Sequence, residues 1–182
     1  MLKTCFAMIS VLLISACSFF DERPMTPQET LLGDNWNLSG KISVKYEARG
    51  FVSRFNWRKR DNNSELIFKT PLGRYFKIMV KEGFCSFENS NGDVFKADSL
   101  ESLMEKEMGW FFPLDRAAFW VTGVPFPGEK TKVLDEYDHK AFRQDEWVIR
   151  VEEYFKNRKV PRKIIFSSGK VNLKLVISEW ES

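Results

Sequence analysis

The stretch WNLSGKISVKYEARGFVSRFNWR, residues 36–58, changes character at almost every step. Trp36, Leu38, Ile42, Val44 and Tyr46 fall on one side of an extended chain, and Asn37, Ser39, Lys41, Ser43 and Lys45 on the other. Successive side chains of a β-strand point to opposite faces, so this alternation describes a strand with one face buried and one wet. The pattern resumes with Phe51, Phe55 and Trp57 against Arg54, Asn56 and Arg58. One-sided burial of this kind belongs to antiparallel sheets.

Outward from this pair, the same period predicts strands at 64–70, 75–81, 84–88 and 93–96, then at 131–137, 140–144, 147–155, 162–167 and 171–179. In the last, Val171, Leu173, Leu175 and Ile177 oppose Asn172, Lys174 and Ser178. Short turn signals separate them at Asn62-Asn63, Glu82-Gly83, Asn91-Gly92 and Ser168-Gly169. Hairpins in chain order, with about ten or eleven strands, predict an up-and-down antiparallel sheet curling towards a barrel. The interruption is helical. Asp98 with Glu101 reads as a capping box ahead of Leu100, Leu103, Met104 and Met108. A second helix, Leu114–Val121, starts after Pro113 and stops before Gly123 and Pro125. Aromatic-rich helices inside a run of strands belong across the sheet's concave face, as a hydrophobic plug or as a lid over a cavity.

The turn TPLG, residues 70–73, is unusual among these connections. Pro71 suits the fixed φ of a turn and Gly73 suits the reversal, but Leu72 stands at the tip, where a polar residue is the ordinary choice.

At 182 residues with 17 Phe, 6 Trp and 4 Tyr, the chain carries more aromatic surface than a domain exposes to water. A formal charge of +3 is too mild to point to nucleic acid, and the clusters RKR (58–60) and NRKVPRK (157–163) read as solvated strand ends. The N-terminus says more. Lys3, the apolar run Phe6–Ile14 and the sequence Ile14-Ser15-Ala16-Cys17 resemble a bacterial lipoprotein signal, cut before a cysteine that carries acyl chains. A simple secretory signal cut after Ala16 and a marginal membrane anchor over Thr4–Phe20 are the competing readings. Ser18 after the cysteine matches lipoproteins sorted to the outer membrane. The expected organisation is a signal at 1–16, a lipidated N-terminus and tether at 17–35 with a short helix near Gln28–Leu32, and one domain at 36–182. With Cys5 in the signal and Cys17 acylated, Cys85 is left as a single buried thiol.

Catalytic patterns are missing from the sequence. His139 is the only histidine and has no evident serine or cysteine partner, no G-x-S-x-G elbow occurs, and no His/Cys spacing suits zinc. Gly40-Lys41 and Gly169-Lys170 lack the rest of a P-loop. The reading is a binding protein, not an enzyme, with neither metal nor cofactor.

The order LSGKISV, SRFNW, TPLG, GWFFPL, FWVTGVP, DEWVIRVEEY, VPRKIIF and VNLKLVISEW, after a lipobox cysteine, resembles the LolB family of outer-membrane lipoproteins from Cys17 to Trp180. The resemblance implies a half-open antiparallel β-barrel with short helices as a lid over an apolar cavity. It further implies a monomer that takes triacylated lipoproteins from a LolA-like periplasmic carrier and releases them into outer-membrane lipid. Cys17 would be the lipidation site, and Pro71, Leu72 and Gly73 the membrane-insertion loop. The inward residues Phe55, Trp57, Phe68, Phe76, Ile78, Trp120 and Trp147 would line the cavity, although plain core packing suits each of them singly. Arg54, Arg58 and Lys59 read as a solvated face or a contact for an acidic carrier. Two alternatives stay open at this point: a carrier or sensor of free lipid or lipopolysaccharide fragments, and a lipid hydrolase built on His139.

Overall fold

The alternation in residues 36–58 becomes two twelve-residue strands, β1 (Asn35–Tyr46) and β2 (Arg49–Arg60), in a computed structural model that describes residues 35–136, 139–156 and 160–181. Cys17, the signal and the tether up to residue 34 therefore lie outside the described residues, and Asn35, the last residue of the expected tether, already belongs to β1. Beyond β2 come β3 (Asn63–Lys69), β4 (Tyr75–Lys81), β5 (Phe84–Glu88) and β6 (Val94–Ala97), then the helices α1 (Leu100–Met108) and α2 (Leu114–Trp120). The chain continues through β7 (Thr131–Glu136), β8 (His139–Gln144), β9 (Trp147–Tyr154), β10 (Pro161–Ser168) and β11 (Val171–Glu181).

These strands form one eleven-stranded sheet in the order β6-β5-β4-β3-β2-β1-β11-β10-β9-β8-β7. Two meanders are thus joined where β1 pairs antiparallel with β11. The edges, β6 and β7, are bridged by the segment holding both helices, so the expected up-and-down sheet with a helical interruption is what forms. Among the described residues, all strand pairings and the core lie between Asn35 and Glu181.

The inner face carries a single hydrophobic core, from Trp36 and Leu38 through Phe142 and Ile149 to Ile177 and Trp180. Cys85 is buried within it, its thiol donates to the Ala97 carbonyl at 3.1 Å, and burial pushes its pKa up. Two boundaries differ from the sequence reading. Helix α1 is capped by Ser99, whose hydroxyl accepts from the Ser102 N–H at 3.4 Å, so Asp98 is not the cap. Ser99 stands one residue nearer the first turn and reaches the free N–H there. Strand β11 also runs on to Glu181 through a register shift, pairing Ser39 with Glu179 but Gly40 with Ile177. The extra residue flips the alternation, so Trp180 turns inward beside Trp36, with ring centroids 6.1 Å apart.

Register also orders the two ends of the sheet. The turns after β1, β3, β5, β8 and β10 share one end. Asn35 and Glu181 sit at the other. Helix α1 leaves the far end after β6 and packs against β5 and β6. It brings Gly109 back beside Tyr46, near the first end, where a β-carbon on this glycine would lie 3.7 Å from the tyrosine ring.

Candidate functional site

Leu72 is the most exposed large apolar residue described, at 90% of its surface. Its loop is built by local chemistry. Gly73 N–H donates to the Thr70 carbonyl at 3.1 Å, Thr70 N–H donates to the Arg74 carbonyl at 2.8 Å, and Gly73 takes φ +80°. This is a three-residue hairpin loop ending in a left-handed glycine. The neighbouring loop repeats it: Gly92 donates to Asn89 at 3.0 Å, Asn89 to Asp93 at 3.1 Å, and Gly92 has φ +84°. That twin places Ser90 and Asn91 where the first loop has Pro71 and Leu72. The turn geometry therefore does not call for a leucine. Ser90 also braces the base of the tip, its hydroxyl accepting from Tyr75 N–H at 2.8 Å and donating to the Tyr75 carbonyl at 2.9 Å.

The interior residues singled out from sequence fall into two groups. Phe55 pairs with Phe68, which pairs with Phe76, and Trp57 pairs through Leu66 to Ile78. Together they make a continuous apolar band across β2, β3 and β4. Phe55, Trp57, Phe68 and Ile78 are buried, while Phe76 is half-buried and stacks on Phe87 at 5.8 Å. Trp120 of α2 and Trp147 of β9 gather around Phe112, whose ring lies 6.5 and 5.2 Å from theirs. Phe166 completes that cluster, 5.3 Å from Phe112. The Trp57 indole N–H is buried with no hydrogen-bond partner among the described residues. It is an open donor on the inner face.

Burial is uneven along the strands. At the far end Trp36, Trp57 and Trp180 are buried, while Val80, Ala97 and Phe155 are half-buried. At the end that carries Leu72, the inner residues Tyr46, Phe51, Phe76 and Val171 pack on the core but remain partly exposed.

The sequence reading missed Gln144, which alternation alone assigns to an ordinary strand position. It is fully buried. Its carbonyl accepts from Trp120 Nε1–H and from Phe126 N–H, both at 2.7 Å, and its amide donates to the Phe126 carbonyl at 2.9 Å and to Thr131 Oγ1 at 3.0 Å. All four capacities of the side-chain amide are used. Arg116 adds ion pairs to Glu129 and to Asp145. Helix α2 is thereby pinned to the β8–β9 hairpin as a fixed wall. Gln144→Leu, which leaves those donors and acceptors without partners, is expected to cost about 3 kcal/mol, read as a Tm lower by roughly 10 °C in thermal unfolding. His139 opens β8, and the described residues hold no group of His, Cys, Asp and Glu that could bind a metal ion.

A family model described as "Outer membrane lipoprotein LolB" matches residues 34–180. Similar proteins named outer-membrane lipoprotein LolB include one from Coxiella burnetii (strain RSA 493 / Nine Mile phase I), 27% identical over 150 residues, with 80% of this chain and 71% of that one covered. Another, from Pseudomonas fluorescens (strain Pf-5), is 29% identical over 152 residues, with 81% and 74% covered. Among solved structures, the LolA superfamily protein NE2245 from Nitrosomonas europaea superposes with a TM-score of 0.47 at 13% identity, over 81% of this chain and 86% of that one.

Proposed function

We propose, for a chain that belongs to the LolB family of outer-membrane lipoproteins, that it receives lipoproteins from a LolA-like periplasmic carrier, shelters their acyl chains against its aromatic inner face and inserts them into the outer membrane. It is a lipoprotein-localisation factor of that membrane. Acylation of Cys17 anchors it there with its domain in the periplasm, and it acts as a monomer.

The observation that carries this reading is the shared location of two features. The exposed Leu72 and the partly exposed inner residues Tyr46, Phe51, Phe76 and Val171 occupy the same end of the sheet. A guest leaving the interior there meets whatever the tip touches.

Physics sets the direction of travel. Each buried methylene of an acyl chain is worth about 0.8 kcal/mol, so one long chain represents on the order of 10 kcal/mol of exposure to water that a handover must avoid. Apolar surface has to pass directly from one host to the next. In this reading the transfer runs downhill, from carrier to this inner face to bilayer, without nucleotide hydrolysis. The inner face then binds more tightly than the carrier and less tightly than the membrane. Aromatic rings suit this task, since they offer large apolar area with little demand for polar detail.

The decisive experiment mixes a purified carrier–lipoprotein complex with the chain from Ser18 onward, in the absence of ATP. Cargo is expected to move to the receptor and, on adding vesicles, into lipid. Cargo that stays on the carrier overturns the proposal.

A further inference from the structure

The outer face of the sheet carries a charge arrangement that the proposed handover does not use. Lys41 on β1 lies directly opposite Arg54 on β2, and Arg54 directly opposite Lys69 on β3. All are exposed. Neighbouring strands lie about 4.8 Å apart, so these cations crowd into roughly 10 Å of sheet. Like charges directly opposite one another destabilise a sheet. No ion-pair partner for any of them is found among the described residues.

The contrast with the rest of this face is direct. Four residues further from the tip along β2, Arg58 shares Glu65 with Lys77, at 3.4 and 3.1 Å. Across the sheet, Lys163 meets Glu152 at 2.6 Å and Arg162 meets Glu153 at 2.7 Å. The uncompensated row is also the one beside the tip. Lys69 precedes Leu72 by three residues, about 10 Å of strand at most, and Arg74 flanks the loop on its other side. The screening length at physiological salt is about 8 Å. Lys69 and Arg74 therefore lie within about one screening length of a surface touched by Leu72, with Arg54 and Lys41 one and two strands further along the face. Val52, an outward residue of β2 on the tip side of Arg54, is 54% exposed and adds an apolar contact beside the charges.

We infer that Lys41, Arg54 and Lys69, with Arg74, form a docking face for the anionic headgroups of a lipid bilayer, which orients the domain so that Leu72 points into the membrane. The inference rests on the reading that the tip meets lipid, and it adds a lipid-class dependence which that reading does not require. Charge complementarity favours phosphate-bearing lipid, since the row presents several donors across a flat sheet face and a bilayer is a flat array of anions. The apolar tip beside the row suits lipid better than an acidic protein.

The test is co-sedimentation of the chain from Ser18 onward with vesicles of phosphatidylcholine alone, or of equal parts phosphatidylcholine and phosphatidylglycerol. The triple variant Lys41→Gln/Arg54→Gln/Lys69→Gln is expected to bind the anionic vesicles about ten-fold less, because it removes three positive charges from the docking face. Its binding to phosphatidylcholine should be unchanged, and its Tm unchanged or raised, since it removes repulsion. Lys77→Gln, whose charge is already shared with Glu65, serves as the control and should change binding less than about two-fold. Equal binding of the triple variant and the parent to anionic vesicles overturns the inference. So does unchanged vesicle binding combined with weaker binding to an acidic carrier, which would make this a protein-docking face. Leu72→Asp separates the two readings, since its loss of binding should appear on phosphatidylcholine vesicles as well.

Discussion

Leu72→Asp is expected to lower the rate of lipoprotein delivery into membranes about 100-fold while leaving the Tm and the uptake of cargo from the carrier near parent values. The magnitude follows from burial. A leucine side chain taken out of water contributes about 1.5–3 kcal/mol, and each 1.4 kcal/mol is a factor of ten in rate when it acts on the limiting step. An aspartate also resists entering lipid. Folding is spared because Leu72 is 90% exposed and packs on nothing, and the hairpin's own bonds run through Thr70, Gly73 and Arg74. Leu72→Asn is the second variant, since the twin loop already carries Asn91 at the matching position. It removes the apolar contact without adding charge and should slow delivery by at least about ten-fold. Reconstituted transfer from carrier to vesicles, followed over time, reads both. Parent-like delivery by the aspartate variant would mean that the tip takes no part in insertion.

Gly40→Ala is expected to be the most destabilising single-methyl change in the domain, at about 4 kcal/mol, or a Tm lower by roughly 12 °C. Gly40 lies at the bulge where β1 meets β11, on the inner face opposite Phe55. A β-carbon there would stand 2.2 Å from the Val176 carbonyl oxygen, 3.0 Å from Ile177 Cα and 3.1 Å from the Phe55 ring. Two of these obstacles are backbone, which a rotamer change cannot move. The seam between the meanders would have to part, and it is this pairing that unites them into one sheet. Gly50→Ala, where the added carbon comes no closer than 3.1 Å to Val44 O, should cost about 1 kcal/mol. Chemical denaturation of the two variants beside the parent checks the ranking. A Gly40→Ala protein as stable as the parent would show that β1 and β11 do not approach as closely as described.

Much of this protein is written in short-range pattern. The two-residue period placed the strands because a half-buried strand needs apolar residues on one side only. Asn91-Gly92 and Pro71-Leu72-Gly73 marked hairpins because a left-handed φ suits glycine. Even the anomaly of Leu72 was legible, since a turn's residue preferences are local and the leucine violates them.

What only the tertiary structure decided depends on partners distant in the chain. The bulge that turns Trp180 inward arises where β11 meets β1, more than a hundred residues away, and no local period contains it. Gln144 looks like any strand glutamine until Trp120, Phe126 and Thr131 converge on its amide. The unpaired row Lys41–Arg54–Lys69 exists only through register, because three cations scattered over 29 positions become neighbours when ladder bonds align them. Periodicity determines which face a residue takes. Hydrogen-bond register, set by pairings between strands distant in the chain, determines whom it meets there.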